Sequence, residues 1–405
     1  MTTAWIVGAG IAGPATAIAL HKAGIDVTVA ERRHDTDDGG SSFLTLGSNG
    51  IDALTALDAG HVVTRLGFET PTLTLVSGTG RVLGDSRTSA VRPDAPVSRT
   101  LRRPDLSAAL RAEARARGIT IETGRVATGV ARDDECARVR FADGGEAVAD
   151  LVVACDGIHS RLRRAVDPTA PPPAYTGLVG LAGYSPAGIT DDRPGTYRMI
   201  FGRRAFFGYA TAPGGDVWWF ANVPQPHEPG RGEVERVEPE TWRARLVDLF
   251  ARDAGPATRL VDAATEIMPA SPMHTVPRLA RWHDGRTVLI GDAAHAPSPS
   301  SGQGASLAIE DAVVLARALR DADDVPAALG AFEAARRRRV ETIVRQAQRV
   351  NGSKAATGVV RVMRDLMLPW VLRATANSHA LRETYDHHLS WQTGTDTVST
   401  SGTSR

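Results

Sequence analysis

The chain has 405 residues, 42% hydrophobic and 23% charged, with 47 basic against 46 acidic side chains and a formal net charge of +1. This is globular composition, with length for roughly two or three domains. The near-neutral balance supplies no overall field for nucleic acid or an anionic membrane, so neither is an expected partner.

The opening MTTAWIVGAG lacks the basic, apolar and cleavage regions of a signal peptide. No apolar run reaches the roughly 18 residues of a membrane span, so a cytoplasmic protein without one is expected. TAWIVGAG reads as a buried strand, IAGPATAIALHKAG as a helix closed near Gly24, and IDVTVAERR as a second strand, together a parallel βαβ unit. A helix from about Ile51 leads to GFETPTLTLVSGTGRVLGD, whose alternation around Ser-Gly-Thr-Gly predicts a hairpin. RRPDLSAALRAEARARG has Pro104 in a first helical turn and Gly118 as a stop.

The stretch from Ile119 to Gly157 alternates through several strands, one turned at Asp143-Gly144-Gly145, and ends in the buried run LVVA. Composition then shifts at the proline-rich DPTAPPPAYTG. Beyond it, RMIFGRRAFFGYATAPGG and DVWWFANVP predict antiparallel, aromatic-rich strands, followed by the helix PETWRARLVDLFARDAG. RTVLIGDAAHAPSPSSGQGASLAIEDA reads as a strand, a loop and a helix, after which the chain is helical to about Ser390. The polar tail TGTDTVSTSGTSR is too hydrophilic to pack and is expected to be disordered. Cys136 and Cys155 match no zinc spacing and read as reduced thiols, and no metal site is expected.

Gly8-Ala9-Gly10-Ile11-Ala12-Gly13 falls between a strand and a helix, with Glu31 at the end of the second strand. Gly8 permits the tight turn, Gly10 lets the backbone approach a pyrophosphate, and Gly13 lets helix and sheet pack closely. The helix N-terminus offers free N–H groups to phosphate, while Glu31 can accept hydrogen bonds from ribose hydroxyls. This is a dinucleotide site, and the motif alone does not separate FAD from NAD.

Three further marks follow in order: Arg103-Pro104-Asp105-Leu106 at a helix start, Asp156-Gly157 with Ser160 and Arg161 after a buried strand, and Gly291-Asp292 with its loop. Together with the glycine turn they resemble the FAD-dependent aromatic hydroxylases, the para-hydroxybenzoate hydroxylase family. The closer likeness is to the subgroup of salicylate, 6-hydroxynicotinate and urate hydroxylases and tetracycline-inactivating monooxygenases. TYDHH at Tyr385 is similar to that subgroup's C-terminal stretch.

The resemblance implies an α/β fold: a Rossmann-type FAD-binding domain with a parallel sheet, a mostly antiparallel substrate domain, and C-terminal helices. The FAD-binding domain would take residues 1–70, 97–170 and 272–350, and the substrate domain 71–96 and 171–271. A helical segment would follow at 351–391, with the tail at 392–405. Gly8, Gly10, Ile11, Ala12, Gly13, Glu31 and Arg32 would hold the ADP half of FAD, Arg103 the flavin chain, and the backbone at Val126 and Ala127 the adenine. Asp156 and Gly157 belong to a motif associated with FAD and NAD(P)H. Asp292 would bond the ribityl hydroxyls, and the loop with Pro297, Gly302, Gly304 and Ala305 would lie on the flavin ring. The implied activity is monooxygenation: NADPH or NADH reduces the flavin, and O₂ reaches an aromatic or polycyclic substrate through a C4a-hydroperoxide.

The sequence departs from the family where DDGGSSFLTLGSNG lacks an arginine near the flavin loop and where LVGLAGYSP replaces an aromatic-arginine signature. Phe206, Phe207, Tyr209, Trp218, Trp219 and Phe220 form either sheet core or a pocket wall, with Phe207, Tyr209 and Trp219 taken as the wall. Asp156 also reads as a turn former, and Arg103 as a surface charge. Arg336 to Arg339 read as a solvated helix face. His295 reads as a packing or hydrogen-bonding residue, and no catalytic side chain is assigned. Val359–Arg373 is expected to pack on its own domain, and the assembly is expected to be a monomer or homodimer. Rival activities are an oxidase, a reductase or a halogenase, and, from another class, a flavin-binding protein without turnover.

Overall fold

The computed structural model describes residues 2–34, 42–133, 135–298, 302–354, 363, 365–369 and 379–392. Strand β1 (Thr3–Val7), helix α1 (Ala12–Lys22) and strand β2 (Asp26–Glu31) build the expected right-at-the-start βαβ unit, with Ile6 opposite Val29 in parallel register. Alanines and Ile18 fill the inward face of α1, so the helix lies close on the sheet.

Three more parallel strands join them, giving the order Thr287–Leu289, Leu151–Ala154, β1, β2, Thr120–Thr123. Leu151–Ala154 is buried along its whole length, as a central strand covered on both faces must be. The helices Arg103–Ala116 and Gly304–Asp321 both pack on α1, and Val325–Lys354 packs on Gly304–Asp321. A three-stranded antiparallel sheet, Ala127–Arg132, Ala137–Phe141 and Glu146–Ala149, stands beside this layer.

The second sheet has eight strands, mostly antiparallel. Its long member, Ala174–Ser185, pairs with Val217–Pro224 over eight residues, and the hairpin Thr72–Ser77 with Val82–Arg87 extends it at the other side. The helices Pro239–Phe250 and Ala257–Asp262 cover one face. A small sheet of Phe43–Leu46, Arg99–Arg102 and Phe68–Glu69 lies where the two large sheets meet.

No helix among the described residues is long and apolar enough to cross a membrane. Most of the amphipathic stretch 359–373, and the tail beyond 392, lie outside the described residues.

Candidate cofactor and substrate site

The glycine turn is shaped by close approach. A Cβ on Gly13 would sit 1.8 Å from the Gly8 carbonyl oxygen, whereas one on Gly10 would meet nothing within 4 Å. The turn is therefore closed underneath and open above, at the N-terminus of α1 where positive partial charge and free N–H groups favour an anion. Glu31 stands at its rim: one carboxylate oxygen accepts the Ala9 N–H at 2.6 Å and the other the Arg33 N–H at 2.9 Å. Ile11 and Ala12 begin α1, and Arg32 is exposed beside Glu31.

Arg103 opens the Arg103–Ala116 helix, its N–H bonded to the Ser42 carbonyl at 2.8 Å and its side chain exposed. Ser107 and Arg111, one and two turns further on, share its helix face and reach the glycine turn. The Ser107 hydroxyl donates to the Gly10 carbonyl at 3.0 Å and Arg111 to that of Ala9 at 3.4 Å. Neither was singled out in the sequence, although the i, i+4 spacing from Arg103 was there to read. Val126 and Ala127 lie past the end of β2, where the Arg125 N–H bonds the Glu31 carbonyl at 2.8 Å.

The two later marks are fastened together by a residue the sequence reading passed over. Arg163, 3% exposed, donates to the carbonyls of Ala293 at 2.7 Å, Ile158 at 2.8 Å, Asp292 at 3.1 Å and Gly157 at 3.4 Å. Arg161, the arginine quoted in the motif, is exposed and contributes its N–H to Asp156 at 2.8 Å. Asp156 thus forms a turn with one oxygen, while its other oxygen is buried without a hydrogen-bond partner among the described residues. The Asp292 carboxylate is half-buried and has no hydrogen-bond partner among the described residues. It lies 3.5 Å from the Cβ position of Gly304, at the start of the Gly304–Asp321 helix, with Pro297 on the other side of that position at 3.8 Å. Ala305 follows in the first turn, and exposed Gly302 lies across from the Thr45 carbonyl. Residues 299–301 of this loop lie outside the described residues.

Gly291 joins the early turn to the late one. A Cβ there would meet Ala308 at 2.9 Å and Ala12 at 3.4 Å, so this turn is wedged between the start of α1 and the second turn of the Gly304–Asp321 helix. The N-termini of α1 and Gly304–Asp321 therefore converge. An FAD fits this arrangement: an open anion cradle over Gly10, an orphaned Asp156 oxygen, and an unpartnered Asp292 carboxylate at a second helix start.

Beneath the loop lies a cluster of buried charges. Arg336, 1% exposed, binds Glu310 and Asp311, each at 2.7 Å, and Arg339 binds Glu310 at 2.6 Å. The expectation that Arg336 to Arg339 form a solvated face is corrected here: Arg336 and Arg339, three residues apart, share the inward face, Arg337 is largely covered, and Arg338 alone is exposed. Burial raises the Glu310 carboxyl, but Arg339 and Arg336, then His387, hold it well below the usual range. Asp311 also receives the Gly291 N–H at 3.1 Å and pairs with His295 Nε2 at 2.6 Å. His295 is thus a buried partner packed against Trp282, the rings tilted with centroids 5.1 Å apart. Asn49 donates to both Gln303 and Glu310, tying the same network to the loop.

In the eight-stranded sheet, Phe207, Tyr209 and Trp219 belong to the core under Pro239–Phe250, with Phe207 stacked on Trp219 and edge-on to Phe250. They do not form the wall expected of them. Alternate residues take the opposite face, where Trp218, Tyr184 and Phe220 pack with Phe43 and Phe68 from the small sheet. One residue of phase decides the face. Strand Phe206–Thr211 is buried on both sides, so no polar alternation marks that phase in the sequence.

A family model described as an FAD binding domain matches residues 1–347. The FAD-dependent urate hydroxylase of Klebsiella pneumoniae subsp. pneumoniae is 31% identical over 355 residues, covering 85% of this chain and 88% of that protein. That of Mycolicibacterium vanbaalenii is 33% identical, covering 85% and 86%. The chain belongs to this family of FAD-dependent monooxygenases. The aurachin C monooxygenase/isomerase of Stigmatella aurantiaca is 30% identical, covering 86% of this chain and 88% of its own. Among solved structures, Klebsiella pneumoniae HpxO with FAD and uric acid superposes with a TM-score of 0.80 at 24% identity, covering 95% of this chain and 97% of that one. At that identity the likeness carries the fold.

Proposed function

We propose that this FAD-dependent monooxygenase uses NADPH or NADH as reductant and inserts one atom of O₂ into an aromatic or polycyclic small molecule. The observation that carries the reading is the convergence of two helix N-termini at Gly291, flanked by Glu31 at one end and Asp292 at the other. Gly8, Gly10, Gly13 and Glu31 would hold the pyrophosphate and ribose. Arg103, Ser107 and Arg111 line the same side, Val126 and Ala127 would meet the adenine, and Asp156 and Gly157 stand between. Asp292 would take the ribityl hydroxyls, with Pro297, Gly302, Gly304 and Ala305 against the ring.

Bound FAD supplies the electron transfer and oxygen activation, and the chain supplies binding, orientation and exclusion of water. The Gly304–Asp321 helix would offer its positive N-terminal potential to the bound flavin, typically about 0.3–1 kcal/mol and more when partly buried. His295 is committed to Asp311, which leaves it a positioning part in this reading.

The fold's aromatic sheet favours a planar, apolar substrate held by ring contacts over the flavin loop. Strand Phe43–Leu46 supports this placement: Phe43 packs on the aromatic face, and two residues along, Thr45 faces Gly302. The test is to follow NADH and NADPH oxidation with an aromatic and polyketide panel, measuring oxygen uptake and product mass. One reductant and one O₂ per product gaining one oxygen is the expected result. A halide requirement, or a flavin-loaded protein that oxidises neither nucleotide with any compound, would sink the reading.

A further inference from the structure

Gln303 stands immediately before the Gly304–Asp321 helix, in the place from which a side chain can bond the first free N–H groups. It makes no such cap. Its side chain is turned away, and both ends of the amide are taken: the oxygen accepts the Asn49 N–H at 3.0 Å, and the nitrogen donates to the Tyr385 hydroxyl. Burial pushes the Tyr385 phenol up, and this hydrogen bond opposes the rise. The two groups meet over Gly47, whose Cβ position lies 3.2 Å from the Gln303 nitrogen and 3.3 Å from the Tyr385 ring. Gln303 is 3% exposed, so its amide depends on these protein partners.

Tyr385 reaches this place from the far end of the chain. It closes the helix His379–Tyr385, and the strap around it is fastened on several sides. The Tyr385 carbonyl accepts the Ser48 hydroxyl at 2.9 Å, and the Thr384 carbonyl the Arg339 guanidinium at 3.1 Å. Asp386 accepts the Val91 N–H at 2.5 Å, from the stretch after the hairpin. Asp52 pairs with the His388 ring and accepts the Leu389 N–H, each at 3.0 Å. Leu389 then enters the core of the FAD-binding domain. These anchors hold the phenol in place, and its oxygen joins the strap to the residue that precedes the helix.

Resting on the flavin placement proposed above, we propose that Tyr385 is a positioning residue for the flavin: with Asn49 it holds the Gln303 amide away from its own helix, which keeps the first-turn N–H groups open to the ring. Released from Tyr385, Gln303 is free to turn onto those N–H groups and cancel part of the positive potential there.

The test is a mutant cycle on the full chain, read by FAD titration of the apoprotein and by the reduction potential of the bound flavin. Tyr385→Phe removes one oxygen and keeps the ring. It should weaken FAD binding roughly two- to tenfold, the worth of one neutral hydrogen bond, and lower the potential, since the anionic reduced ring loses support. In a Gln303→Met background, where the side chain has no amide to turn, Tyr385→Phe should have no further effect on either reading. His388→Ala, which loosens the same strap at another anchor, should change stability in urea and leave the potential where it was; this control decides the matter if Gln303→Met does not fold. Wild-type affinity and potential in Tyr385→Phe would overturn the proposal. So would equal losses from Tyr385→Phe in both backgrounds, or a potential shift in His388→Ala as large as that in Tyr385→Phe. These readings use neither reductant turnover nor substrate, so they are separate from oxygen insertion, on which the function itself stands or falls.

Discussion

Arg336 and Trp219 are among the largest fully buried side chains of the molecule, and their surroundings differ completely. Arg336 is gripped by Glu310, Asp311 and the Leu307 carbonyl under the flavin loop. Trp219 is stacked on Phe207, with one hydrogen bond from its indole N–H to the Ser185 hydroxyl at 3.0 Å. Around the FAD cradle, directional bonds between long-separated residues fix the backbone. In the aromatic sheet, shape and apolar contact do so. A lost partner in the first region strands a buried charge, whereas a trimmed ring in the second leaves a space into which neighbours can relax.

The largest expected effect follows from that difference. Arg336→Met should destabilise the fold by about 3–5 kcal/mol in urea denaturation, because Glu310 and Asp311 stay behind uncompensated. It should also weaken FAD retention, since Asp311 holds the Gly291 N–H. Trp219→Phe, an apolar replacement, should cost about 1–2 kcal/mol and leave FAD content intact. Equal losses of FAD in the two variants would erase the distinction.

Acid sharpens the comparison next. Burial pulls His387 down to about 4 from 6.5, so between those values the unfolded chain takes up a proton that the folded chain refuses. Stability should therefore fall as pH falls through that window, by up to about 3 kcal/mol. His387→Asn should flatten the upper part of this stability-against-pH curve, above about 5, whereas Glu310 and Asp311, held in the fold below their unfolded values of 4.5 and 3.8, add their own loss as pH falls through those values. An unchanged slope would exclude His387 as the titrating group.

Asp292→Ala should weaken FAD binding by about 1.5–3 kcal/mol, read by flavin titration of the apoprotein. A fully loaded, normally reducible variant would count against the ribityl assignment. Smallest is Arg338→Ala. Its side chain is exposed, and its loss should cost about 0–0.5 kcal/mol. Together with Arg336→Met it tests whether neighbouring arginines in one run do different work.

The βαβ start, the hairpin at 72–87 and the aromatic strands were legible because their signals are local: glycine turns, alternation, and apolar faces. The phase of Phe207 and Trp219 was hidden because both sides of their strands are covered. Arg336 was hidden because its partners, Glu310 and Asp311, lie on another helix. A usable clue was present there: two adjacent acids sit in the otherwise apolar run from Leu307 to Val314, and buried acids require cations. Arg163 was missed for a similar reason, since its four carbonyl partners come from two motifs distant in sequence.

The central claim, that oxygen from O₂ is inserted at this FAD site, is tested most directly with heavy-oxygen-labelled O₂. Wild-type protein, NADPH or NADH and a turned-over aromatic compound are incubated under the labelled gas in ordinary water, and the product is weighed by mass spectrometry. The account predicts one labelled oxygen in every product molecule and none from water. A product whose new oxygen comes from water, or an oxidised product with no new oxygen, would contradict it.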